Sequence, residues 1–247
     1  MTLLIVAAVL AATAYIDNAV LGHDAIPRAL GLRHLPGVNT GGGIAGVGSK
    51  TSDYAFLATK ANGDPVAFSR CDTIHIVVNS THAVPDADRM LREALDRVSE
   101  ASGLKFVVDG ASDELPSSVR ASTSSPVASW RNRPALVAWL SPREDNRLGP
   151  KAIGLGGPIE TGSYVDANRH YGTGTVSLDG PALQRMMHEP NGWARARAVV
   201  MHELSHMIGL AHFDSSAEVM APESSHVTEF GAGDREGLRL LGGGPCY

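Results

Sequence analysis

Lysine and cysteine are scarce in this chain of 247 residues: four of the first and two of the second. Its 21 basic side chains are therefore mostly arginine, and 26 acids outnumber them, for a net charge of −5. No stripe of Lys and Arg stands out, which excludes the phosphate-neutralising face of a nucleic-acid binder. No apolar run reaches the roughly 20 residues of a full membrane span. No internal repeat points to a solenoid or propeller. What remains, with 43% hydrophobic residues, is material for one sizeable core plus a tail. The two cysteines, Cys71 and Cys246, form an even pair. They read as one disulfide in an oxidising compartment, or else as two buried thiols. A bridge would tie the start of the first strand to the C-terminal tail, closing a loop long enough to contribute on the order of 3–5 kcal/mol.

The N-terminus opens with LLIVAAVLAATAYI, Leu3 to Ile16. That length matches the apolar region of a signal peptide, and Ala12, Thr13 and Ala14 offer a small-residue cleavage site. No basic residue precedes the run, so residues 1–21 read as a signal peptide or a membrane anchor, with a buried helix as the third choice. Residues 22–53 are a Gly-rich, aperiodic linker or pro-segment. A catalytic-size domain spans 54–247.

Within that domain, Thr73 to Asn79 (TIHIVVN) reads as a strand. Pro85 and Asp86 open a helix that runs to about Ser102. Its apolar face is Met90, Leu91, Ala94, Leu95, Val98 and Ala101, and Gly103 ends it. Leu104 to Asp109 is a second strand, parallel to the first because a helix connects them. Residues 110–132 read as a surface loop. Ala135 to Leu140 is a third strand. Ala152 to Gly157 is a fourth, whose glycines suit an edge where another backbone approaches. Thr173 to Leu178 is a fifth. Asp179 and Pro181 begin a short helix, a long one runs from Trp193 to Ile208, and Asp234 caps a last one to Leu241. The expected class is α+β, a mixed five-stranded sheet with helices packed on it.

The chemistry is concentrated in HELSHMIGLAH, His202 to His212. Two histidines four residues apart lie about 40° apart on one helical face, so both imidazoles can reach one ion at about 2.0–2.1 Å. Glu203 is turned about 100° away, outside the ligand set but close to a water on the ion. Gly209 allows the helix to stop and the chain to turn, bringing His212 round as a third ligand. Three histidines and one open position describe a catalytic zinc site rather than a structural one.

HELSHMIGLAH matches the extended signature HExxHxxGxxH, and the chain therefore resembles the metzincin metallopeptidases. Met220, eight residues after His212, resembles the Met-turn of that clan. The FDSSAEVMAP, TIHIVVN, VSEASGLKF and GAGDREGL segments are most similar to matrixins and their bacterial relatives. The resemblance implies a twisted mixed sheet above an irregular lower lobe, with a peptide substrate paired to the edge strand near Ala152 to Gly157. It implies one catalytic zinc held by His202, His206 and His212, with Glu203 as general base. Taken with the apolar N-terminus, the chain reads as a secreted or membrane-anchored endopeptidase acting as a monomer on protein or peptide substrates. Pro222 to Phe230 resembles the wall of the specificity pocket, where His226 reads as a surface histidine.

Departures are plain. Ser205 stands where glycine is usual, Phe213 where matrixins carry serine, and Ala221 where other groups place a tyrosine ligand. No cysteine-switch motif is present. Matrixins also carry calcium and a second zinc. Asp166, His170 and Asp179 are the candidates, but without a calcium loop they read as solvated loop residues. Asp214 is a candidate to orient the Met-turn, or an exposed carboxylate. His75 and His82 have no partner legible in sequence. Two other readings compete: a non-enzymatic surface protein stabilised by zinc, and a narrow peptidase of cell-wall cross-links. An intact Glu203 argues against the first, because a structural site needs no base.

Overall fold

A computed structural model describes residues 54–116, 133–161, 169–222 and 226–247, all within the compact unit Thr51–Tyr247. The N-terminal apolar run, the Gly-rich segment and Asp166 lie outside the described residues. Among those described, no helix is long and apolar enough to cross a membrane.

The chain runs β1 (Ala55–Phe56), β2 (Thr73–Asn79), α1 (Ala87–Ser102), β3 (Lys105–Ala111), β4 (Ala135–Leu140), β5 (Gly154–Thr161), β6 (His170–Asp179), α2 (Gly180–Met187), α3 (Gly192–Met207), β7 (Leu210–Ala211) and α4 (Ala232–Gly242). The five-stranded sheet has the order β3-β2-β4-β6-β5. β2 is parallel to β3 and β4, β4 is parallel to β6, and β5 is antiparallel to β6 at one edge. β1 and β7 form a separate antiparallel pair. The α+β class with a mixed five-stranded sheet and four helices is the one expected.

β2 and β4 occupy the residues predicted, because their β-branched and apolar runs coincide with the paired residues. β4 is buried on both faces. Ala135, Val137 and Trp139 join the main core, while Leu136, Ala138 and Leu140 pack with Leu148 on the other face. α1 lays Met90, Leu91, Ala94, Leu95 and Val98 into the main core. It ends at Gly103, whose φ of 78° is left-handed and whose N–H reaches Ser99 O at 2.7 Å.

β3, β5 and β6 extend beyond the residues predicted. β5 runs to Thr161 and β6 begins at His170, because the antiparallel ladder between them continues past the apolar residues, from Gly154↔Leu178 to Thr161↔His170. Pairing, not composition, sets these lengths. His170 and Asp179 accordingly lie buried in β6 rather than in a solvated loop. His170 stacks on Tyr247 with ring centroids 4.1 Å apart, and Asp179 caps α2 by accepting from Ala182 N at 2.9 Å. Cys71 and Cys246 are bonded, with Cα atoms 5.3 Å apart across 175 residues of sequence.

Candidate metal centre

α3 begins at Asn191, which takes a left-handed φ of 59°, and it delivers His202, Glu203 and His206 on its last two turns. Ser205 is fully buried, and its hydroxyl donates to Met201 O at 2.8 Å. The helix stops at Gly209, with φ 114°. A side chain there would collide with Tyr171, its Cβ only 2.7 Å from the ring. Glycine thus serves both the turn and the close packing. The reversed chain forms β7 and carries His212 back to the helix.

The three histidines converge. His202 Nε2 and His206 Nε2 lie 2.9 and 3.0 Å from His212 Nε2, and among the described residues this is the one cluster able to hold a metal ion. The other nitrogens are fixed by main-chain acceptors. His202 Nδ1 is 2.8 Å from Val219 O, and His206 Nδ1 is 2.7 Å from Leu210 O. A carbonyl can only accept, so each Nδ1 carries the proton and each Nε2 presents a lone pair to the centre.

The protons of the cluster leave room for a cation. His212 Nε2 can donate at most one hydrogen, yet two lone pairs face it. A tetrahedral zinc with bonds of about 2.0–2.1 Å spaces its nitrogens about 3.3 Å apart, close to the separations found. The donor set fits a zinc ion, and the two carbonyls are the supporting contacts that such ligands need.

Electrostatics agree. Burial, then the charge of His212, holds His202 down to about 4, against the bond to Val219. His206 lies well below the ordinary value, again mainly through burial. Both rings are therefore neutral, as metal ligands must be. Burial pushes the Glu203 carboxyl up to about 8, opposed by the backbone N–H of Gly156. A dication in the cluster would draw it down again.

Met220 is completely buried. Its turn is held by two carboxylates. Asp234 accepts from Val219 N at 2.7 Å, Met220 N at 3.2 Å and Gly231 N at 3.1 Å. Glu218 accepts from Gly233 N at 3.1 Å and Asp234 N at 2.9 Å. Asp234 is thus not the cap of α4 but its third residue, and it, not the exposed Asp214, orients the turn. Sequence reading missed Glu218 altogether; the one signal was an acid just before a buried Val-Met pair. His226 is exposed, as expected. His75 Nδ1 pairs with Asp109 at 2.9 Å and His82 Nε2 with Glu144 at 3.3 Å, away from the cluster.

No protein-family model and no curated protein matches the chain. Among solved structures it is similar to an archaemetzincin from Methanopyrus kandleri, with 19% identity, a TM-score of 0.41 and coverage of 68% of this chain and 94% of that one. It is also similar to a zinc-dependent peptidase from Methanocorpusculum labreanum (14%, 0.35, 67% and 99%). A third is the hatching enzyme zinc-protease HCE-1 of the medaka Oryzias latipes (12%, 0.33, 71% and 90%). These overlaps are partial, and it is the histidine cluster that supports a function.

Proposed function

We propose that this protein is a zinc-dependent endopeptidase of the metzincin type, matrixin-like in its details and exported from the cell. The observation that carries the reading is the convergence of three Nε2 atoms, two of them presenting lone pairs, beside the buried acid Glu203 that follows His202 on the helix. His202, His206 and His212 would hold one zinc ion. Zinc in such a site supplies Lewis acidity toward a peptide carbonyl and acidifies water.

Glu203 does the proton work. It takes a proton from the attacking water as the new C–O bond forms, then delivers it to the departing amine as the C–N bond breaks. The charge of a dication held beside it would favour the ionised form of this buried acid, the form that accepts the water's proton. Val219 and Leu210 keep the ligand rings oriented through their carbonyls. The Met220 turn serves as the clan's Met-turn by carrying the Val219 carbonyl to His202. The edge strand β5 is where an extended substrate would pair.

Digestion of a diverse peptide library by the purified protein, with and without a chelator, tests the reading. Internal cuts that vanish with chelator and return with zinc are expected. Zinc binding without any cleavage would instead favour a zinc-stabilised surface protein.

A further inference from the structure

β5 meets the metal helix at two points where it has no side chain. A Cβ on Gly156 would stand 2.0 Å from the backbone oxygen of Glu203 and 2.9 Å from its Cα. A Cβ on Gly154 would stand 2.6 Å from Glu203 Cγ and 2.7 Å from Oε1. Carbon atoms in good contact are about 3.5–4.0 Å apart, so neither position admits even a methyl group. The two glycines are two residues apart and therefore share one face of β5. Opposite them on β6, Leu178 and Val176 fill the core with full side chains. On β5 the helix itself takes that space: its backbone at Gly156, and the Glu203 side chain at Gly154.

We propose that Gly154 is a positioning residue for Glu203: the space left by its missing side chain is the slot in which the carboxylate-bearing arm of Glu203 lies. Gly156 sets how closely α3 approaches, and Gly154 sets where the carboxylate points. The edge offered to a peptide and the group that would serve as its base are thereby fixed to each other. The catalytic half of this inference rests on the peptidase reading; the packing half does not.

Gly154→Ala is the informative change, because the methyl group meets a side chain and not the helix backbone. Glu203 must move by roughly 1 Å, and a displacement of that size costs on the order of 100-fold in rate. We expect kcat to fall about 100-fold with KM within about twofold and zinc content unchanged. The second readout is the melting temperature of the zinc-free protein in a double-mutant cycle. Gly154→Ala should lower it when Glu203 is present and leave it unchanged in the Glu203→Ala background, where the slot is empty.

An unaltered kcat in a folded Gly154→Ala variant, or an equal melting loss in both backgrounds, overturns the proposal. If Gly154→Ala alone fails to fold, recovery of folding in the double variant supports the slot and continued failure refutes it. If the wild type cleaves no peptide, the melting cycle still decides the packing claim.

Discussion

Asp234 reaches His202 through a single residue. Its carboxylate accepts the N–H of Val219 at 2.7 Å, and the carbonyl of Val219 accepts the Nδ1 proton of His202 at 2.8 Å. A carboxylate from α4 thus holds in place the residue whose carbonyl fixes the tautomer of a ring on α3. The Val219 carbonyl is the direct support of the ring, a kind of contact that typically carries 10–100-fold in metal affinity, and Asp234 acts one step further out. Asp234→Ala should weaken zinc binding by up to about 10-fold, the lower end of that range, as measured by competition with a chromogenic chelator. It should also destabilise the fold by on the order of 2–4 kcal/mol, because two buried N–H groups and one part-buried one lose their acceptor.

The same residue sets a pH dependence. Burial, reinforced by the Glu218 charge, raises the Asp234 carboxyl from 3.8 to about 6, against its three backbone donors. With the folded value above the unfolded one, its contribution is fully present below pH 3.8 and is lost as the pH rises through 6. The stability advantage of wild type over Asp234→Asn, read from urea midpoints of the zinc-free proteins, should shrink by about 2–3 kcal/mol between pH 4 and pH 7. A constant or growing difference would show that Asp234 is charged throughout that range.

Much of this was legible in the sequence, and the exceptions share a cause. α1, β2 and β4 follow local periodicity, so their bounds were readable. The histidine cluster was readable because spacing on a helix and one glycine define it. Asp234 and Glu218 were not readable as supports, since their partners are backbone amides brought close only by the folded loop. The glycines of β5 announced that another backbone approaches; that it belongs to Glu203 required the helix to be placed. Likewise β3, β5 and β6 exceeded their apolar runs because a neighbouring strand, invisible locally, continued the ladder.

Zinc should act as a folding ligand as well as a cofactor. Binding that favours only the native state adds about 4 kcal/mol at a thousandfold excess over Kd. For a domain of this size that is on the order of 10 °C in Tm. Calorimetry with zinc, with chelator and with zinc restored should show this shift. His206→Ala should abolish it, while leaving a folded apo domain.

The bond between Cys71 and Cys246 closes a loop of 175 residues. Removing so long a constraint typically costs 2–5 kcal/mol. Cys246→Ser should lower the chemical-unfolding free energy by that amount, with zinc stoichiometry unchanged, because the tail it anchors is remote in sequence from the ligands. Reductant should reproduce the loss in wild type and do nothing further to the variant.

The most direct test of the account compares wild type with Glu203→Gln, measuring bound zinc by mass spectrometry and hydrolysis of an identified peptide in the same preparations. One zinc per chain in both proteins is expected, with the rate in Glu203→Gln lower by at least about a thousandfold. Undiminished hydrolysis in the variant, or a wild type that binds no zinc, would contradict the assignment.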